Sequence, residues 1–244
     1  MVFALAKPFV YDASINQHKK GRDLILAIDA SGSMAQSGFD VNDRFKRKFE
    51  TNLELASDFI KNRHDDNMGI VIFGTFAYTA SPLTYDLSSL TYLLNMTNVG
   101  IAGDSTAIGD ALMQSLRTLH FGEADNKVIV LLTDGYHNAG QTSPKEAVKV
   151  AKTKGVKIYT IGLGKVSDYD VSLLKTIAEE THAKTYTASS SNTLIDIYEE
   201  INALEPSPIR SENFHNQKLL ILLPLGFVFI LLLSWTLWMQ RRVI

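Results

Sequence analysis

The 244-residue chain carries 24 Lys and Arg against 26 Asp and Glu, a formal net charge of −2, so it has neither a basic nucleic-acid-binding footprint nor an acidic solvating tail. With 45% hydrophobic residues it can bury a core; with no cysteine it has no disulfide scaffold, thiolate metal site, iron–sulfur cluster or thiol chemistry. The length fits one ordinary domain plus an accessory segment.

Residues 1–20 show no clear period and form an N-terminal segment. Leu24–Ile28 is a short apolar strand ending in Asp29. Phe45, Phe49, Leu53, Ala56 and Ile60 recur at helical spacing and predict a helix over roughly 43–63. Met68–Phe73 reads as a second buried strand, with Phe76–Thr79 as a short strand beside it. A helix is expected over 87–95 and another from about 106, where Ile108, Leu112, Leu116 and Leu119 share one face. Lys127–Leu132 is the most strand-like run and leads to Asp134. Pro144 opens a helix over 144–154, and Val156–Ile161 returns as a strand. Val171, Leu174 and Ala178 mark a further helix, Lys184–Thr187 a last strand, and Leu194, Ile197, Ile201 and Leu204 a closing helix. Strands alternating with helices imply an α/β, doubly wound, mostly parallel sheet over residues 21–204.

Residues 205–217, with Pro206 and Pro208, read as a linker. From Leu219 to Gln240 no charged residue occurs, and about 20 apolar residues suffice to span a hydrocarbon core of roughly 30 Å. Trp235 and Trp238 stand near one end, where indole rings favour the headgroup layer. Residues 218–240 are therefore expected to be a transmembrane helix, followed by a short basic tail at 241–244; the alternative is a buried helix of a soluble protein. Arg210 and Lys218 before the run balance Arg241 and Arg242 after it, so the flanking charges assign no orientation. Met1–Leu5 is too short for a signal-peptide core.

Three loops carry oxygen-bearing side chains at the ends of strands or starts of helices. Asp29-Ala30-Ser31-Gly32-Ser33 follows the first strand, Gly103-Asp104-Ser105-Thr106 opens a helix, and Thr133-Asp134-Gly135 closes a strand. In a doubly wound sheet such loops converge on the crevice at the strands' carboxyl ends. Asp29, Ser31, Ser33, Thr106 and Asp134 could meet there as an all-oxygen set, the donor class that hard divalent cations take. Singly, each has another explanation: Ser and Asp after strands are frequent helix caps, and Thr106 could cap the helix it begins. Three such loops together favour a shared cation.

These residues, in this order over roughly 22–204, resemble the metal-ion-dependent adhesion site of von Willebrand factor A domains. Within that family, GDSTAIGDAL at 103–112 and TDGYHNAG at 133–140 are similar to the bacterial aerotolerance (Bat) membrane proteins, as is the terminal apolar segment. The resemblance implies a Rossmann-like fold without enzymatic activity. Asp29, Ser31 and Ser33 would contact Mg²⁺, with Mn²⁺ as a substitute, directly or through water; Thr106 would join them and Asp134 would act through water. An open position would take a carboxylate from a protein partner. It further implies a MoxR-type AAA+ ATPase and other von Willebrand A membrane proteins as partners, no nucleic acid, and a single-pass protein of the bacterial inner membrane with a periplasmic domain. In the Bat pattern a segment like Ala4–Pro8 ends an apolar helix, so a start upstream of Met1 or a shortened relative is expected, and a complete chain would leave a cytosolic domain open.

The competing class is a hydrolase or phosphatase using Asp29 at the sheet edge. Haloacid-dehalogenase-like enzymes need a second acid two residues on, where this chain has Ser31, and no Lys has an obvious role at that edge. Gly-x-Ser-x-Gly is absent around Ser31. Gly162-Leu163-Gly164-Lys165 has Tyr159 where a phosphate loop would need its first Gly, and reads as a strand-to-loop turn. Tyr136 is a candidate for partner contact or for packing, His137 a solvated loop residue, and Asp104 and Asp110 surface acids near helix starts.

Overall fold

The computed structural model describes residues 9–10, 21–63, 66–205, 218–219 and 222–241, the side chains of the last segment mainly from Phe229 onward. In chain order the elements are β1 (Phe9–Val10), β2 (Asp23–Asp29), α1 (Lys48–Lys61), β3 (Asn67–Phe73), β4 (Ala77–Thr84), α2 (Leu87–Asn95), α3 (Ile108–Leu119), β5 (Lys127–Thr133), α4 (Pro144–Thr153), β6 (Lys157–Leu163), α5 (Val171–Glu180), β7 (Thr185–Ala188), α6 (Ser191–Leu204), β8 (Lys218–Leu219) and α7 (Leu222–Arg241). They fall into two compact units, the larger running from β2 to α6 and the smaller holding β1, β8 and α7.

The larger unit is a six-stranded sheet of order β4-β3-β2-β5-β6-β7. All its neighbours are parallel except β4, which runs antiparallel to β3 at the edge. The central strands are apolar on both sides because helices cover both. Leu24, Leu26 and Ile28 of β2 meet α1, α2 and α6 on one face. Ile25 and Ala27 meet α3, α4 and α5 on the other. From β2 the chain crosses to β3 on one side and later to β5 on the other, so the sheet has its switch point between β2 and β5.

Two expectations are corrected. The helix expected over 43–63 begins only at Lys48. A bridge between Ser37 and Arg47, and the Lys48 N–H donating to the Gln36 carbonyl at 2.7 Å, hold the preceding segment extended, leaving Phe45 92% exposed. The short strand expected at Phe76–Thr79 runs instead from Ala77 to Thr84. It includes Pro82, which an edge strand tolerates because one side needs no ladder hydrogen bond. Gly162 lies within β6, where a Cβ would stand 2.0 Å from the Tyr169 ring; the glycine makes room for that ring rather than for a phosphate.

At the opposite edge of the sheet, where the strands begin, charge is buried. Asp66 pairs with Arg22 at 3.0 Å and Arg63 at 2.9 Å, and the Arg63 guanidinium lies 4.2 Å over the Phe59 ring. Glu205, expected to open the linker, is buried too, accepting hydrogen bonds from Asn126, Lys157 and Tyr159. Glu205 is thus fastened to the starts of β5 and β6.

In the smaller unit, β1 and β8 pair antiparallel, Phe9 opposite Leu219 and Val10 opposite Lys218. The apolar run then forms the 20-residue helix α7. Its described large side chains, among them Phe229, Leu232, Trp235 and Trp238, are exposed. Among the described residues, no helix is long and apolar enough to cross a membrane. The linker at 206–217 and the N-terminal residues 1–8 and 11–20 lie outside the described residues.

Candidate metal centre

β2 and β5 run parallel in register, Ile28 opposite Leu132, so Asp29 and Thr133 end together and Asp134 follows at the same edge. After Asp29 the chain turns at once. The Asp29 Oδ1 accepts the Ser31 N–H at 2.8 Å, and residues Gly32–Ala35 form a single 3₁₀ turn that Ser31 does not cap through its side chain. Both hydroxyls are thereby left for the site. Ser31 Oγ lies 3.1 Å from Ser33 Oγ, and Ser33 Oγ donates to Asp134 Oδ1 at 2.5 Å. The capping alternative for Thr106 fails too: α3 starts at Ile108 with Ala107 as its uncapped N-terminal flank. Thr106 is buried, and its Oγ1 faces Gly135, where a Cβ would come within 2.9 Å. Gly135 lets the third loop approach the second.

Four of the five expected residues are thus tied directly to one another or to their loop, and the fifth, Thr106, adjoins them across Gly135. The donors are all oxygen. Adjacent ligands of an octahedral cation with bonds of 2.0–2.1 Å lie about 2.9 Å apart, and the two serine hydroxyls, 3.1 Å from each other, stand close to that spacing. The donor set therefore fits a small hard cation. Asp29 is fully buried with Thr133 donating to its Oδ2 at 2.5 Å, a placement suited to contact through water.

Three contributors are not visible in the sequence pattern. Thr133 orients Asp29 and accepts the Gly135 N–H at 3.2 Å. Asn138 grips the Thr106 loop twice, accepting the Thr106 N–H at 2.8 Å and donating its own N–H to the Thr106 carbonyl at 3.1 Å. Lys48, the first residue of α1, donates to Asp134 Oδ2 at 2.7 Å, its side chain 5% exposed and the carboxylate 0%. This overturns the expectation that no lysine serves the sheet edge. Of the remaining candidates, Asp104 packs its side chain over Gly32. Asp110 is no free surface acid: it accepts the N–H groups of Gln141 and Thr142 and ties α3 to the loop before α4. Tyr136 is half-exposed with its hydroxyl on the Ser167 carbonyl.

Burial pushes the Asp29 carboxyl up to about 6 from its ordinary 3.8, outweighing the hydrogen bonds from Ser31 and Thr133 that favour its charge. A carboxyl raised in the fold stabilises it while protonated, so this contribution is full below about pH 4 and is lost as pH rises through about 6. In EDTA, the melting temperature of wild type relative to Asp29→Asn should therefore fall between pH 4 and pH 7. Parallel profiles for the two proteins would contradict the burial of a charge at Asp29.

A family model of the von Willebrand factor type A domain, a family of metal-dependent adhesion and interaction modules, matches residues 23–200. An uncharacterized protein of Borreliella burgdorferi is 32% identical over 171 residues, 70% of this chain and 49% of that protein. The chain thus spans about half the length of that curated relative. Among solved structures, BatB from Bacteroides thetaiotaomicron shares the fold with TM-score 0.63 and 23% identity, over 75% of this chain and 98% of that one. Proximal thread matrix protein 1 from the mussel byssus, with a zinc-occupied MIDAS motif, matches at TM-score 0.62 and 25% identity over 81% and 47%. Since the family model covers most of the chain and the site loops stand where the sheet reverses, the chain belongs to the von Willebrand factor type A domain family.

Proposed function

We propose that the protein is a membrane-anchored binding module in which Asp29, Ser31, Ser33, Thr106 and Asp134 hold Mg²⁺, or Mn²⁺, and a partner protein supplies a carboxylate to the open position. The observation that carries this reading is the convergence of the Ser31, Ser33 and Asp134 oxygens on one another beside a fully buried Asp29. When bound, the cation supplies a Lewis-acidic position for an anionic ligand. The chain's own part is to orient the oxygens: Thr133 fixes Asp29, Lys48 fixes Asp134, and Asn138 fixes the Thr106 loop. Tyr136, half-exposed two residues after Asp134, offers an aromatic contact of the kind that anchors protein interfaces.

A nucleophilic role for Asp29 is disfavoured despite the lysine at the edge. The carboxylate is 0% exposed, with hydrogen bonds to both oxygens, and leaves no open face for in-line attack on a phosphoryl group. Ser31 stands where the second acid would be needed. The protein is therefore read as a binder and not as an enzyme.

The reading of an anchor rests on the uncharged run 219–240 in the sequence, about 20 residues being enough to span a bilayer, and on the exposed Phe229, Leu232, Trp235 and Trp238 of α7 that water would not favour, although α7 itself, among the described residues, is not a spanning helix. The Bat-like layout supports a location in a bacterial inner membrane with the domain on the periplasmic side. A MoxR-type AAA+ ATPase and other von Willebrand A membrane proteins are the partner classes that layout implies.

Thermal unfolding in EDTA and then in rising Mg²⁺ tests the site. A cation at about 100 times its Kd adds about 2.7 kcal/mol, which for a domain of this size is a rise of about 5–11 °C. The rise should saturate and vanish in Asp29→Ala; a wild type indifferent to both Mg²⁺ and Mn²⁺ would sink the metal reading. For the anchor, the chain should sediment with membranes after alkaline carbonate washing, and a chain truncated after Glu205 should not. Full-length protein released by carbonate would refute a spanning helix.

A further inference from the structure

Lys48 is a third buried charge at the site, and the metal-binding reading above does not by itself require it. Its ammonium sits 2.7 Å from Asp134 Oδ2, while the other oxygen, Oδ1, takes the Ser33 hydroxyl at 2.5 Å. The carboxylate is thus shared: one oxygen faces the amine and the other faces the hydroxyl cluster. The amine also lies 3.5 Å from the Leu163 carbonyl at the end of β6, so helix α1 and strand β6 hold it in place together. With side-chain exposures of 5% and 0%, the pair is shielded from the water that screens surface ion pairs.

The charges at the site can be counted. Asp29 and Asp134 bring two buried negative charges and Lys48 one positive, so the protein's own buried charge is −1. Asp104 is exposed, and Asp168, close to Lys48 across Gly164, is half-exposed; both sit at the rim, where solvent damps their effect. A divalent cation added to −1 leaves the loaded site at +1. Without the amine it would be neutral. The same amine opposes the cation's entry, since it lies on the far side of a carboxylate that the cation also uses.

Resting on the metal-binding reading, we propose that Lys48 is a built-in counter-charge that keeps the loaded centre net positive, so that it selects an anionic carboxylate ligand over water or a neutral group and gives up metal affinity to do so. Lys48 is a positioning and charge-setting residue and touches neither the cation nor the ligand. The idea predicts effects of opposite sign on two ligands, which loss of packing alone would not produce. At an effective dielectric of about 20, a unit charge about 4 Å away changes binding by about a thousandfold and one about 10 Å away by about tenfold, so tenfold is the least the charge argument requires.

The test uses the whole chain, with Mn²⁺ as the metal and acetate as the anion, following free Mn²⁺ by its electron paramagnetic resonance and acetate by its displacement of Mn²⁺-bound water in proton relaxation. Lys48→Met should bind Mn²⁺ at least about tenfold more tightly and acetate at least about tenfold more weakly than wild type, by the charge argument just given. Lys48→Arg should keep both close to wild type. Thermal unfolding confirms that each variant is folded. Wild type that binds Mn²⁺ and acetate, beside a folded Lys48→Met that shifts both in one direction or neither, would overturn the role given to Lys48 and leave the metal site standing. Wild type that binds no Mn²⁺ would overturn the metal reading and this inference with it.

Discussion

The parallel, in-register pairing of β2 with β5 is the constraint on which the site depends. With Ile28 opposite Leu132, the two strands end side by side, and the chain must leave them in opposite directions because β3 and β6 lie on opposite flanks. A crevice opens there, and it is lined by whatever side chains follow each strand. Here those are Asp29, Ser31 and Ser33 from one and Asp134 from the other. A one-residue slip in this register would turn Asp134 away and face the wrong side of β5 to each helical layer. The core that fixes the register, Leu24, Leu26 and Ile28 against one layer and Ile25 and Ala27 against the other, therefore also fixes the spacing of the oxygens.

The site carries an electrostatic load that the fold offsets unevenly. Among the described residues Asp29 makes hydrogen bonds with Ser31 and Thr133 and no ion pair, and burial raises its carboxyl to about 6. Asp134, equally buried, has the Lys48 amine. One acid is thus left wanting a positive charge while the other already has one. That asymmetry is what a site reserved for a cation would show in this sheet, and it separates the centre from the Arg22–Asp66–Arg63 cluster at the other edge, where guanidinium groups surround the acid.

Much of this was legible in the sequence, and the exceptions share a cause. Apolar runs such as Leu24–Ile28 and Lys127–Leu132 announce strands buried on both faces, and the order of strands and helices follows from them. That the loops of Asp29, Ser31, Ser33, Thr106 and Asp134 would converge was readable because they lie at strand ends or helix starts. The start of α1 was not, since Phe45 continues the helical spacing of Phe49 and only a tertiary bridge between Ser37 and Arg47 stops the helix short. Lys48 and Asn138 were missed for the same reason. A lysine on an amphipathic helix is by default a solvated one, and the acid that buries this one is 86 positions away. Periodicity speaks for neighbours in sequence and not for partners across the sheet.

The central claim is that these five side chains surround a cation. The most direct measurement is anomalous diffraction from crystals of the domain grown in Mn²⁺. The account predicts one strong peak within bonding distance of Ser31 Oγ and Ser33 Oγ, on the side facing Thr106 and Asp134. Saturating Mn²⁺ with no peak in that crevice, or a peak bound only elsewhere on the domain, would contradict it.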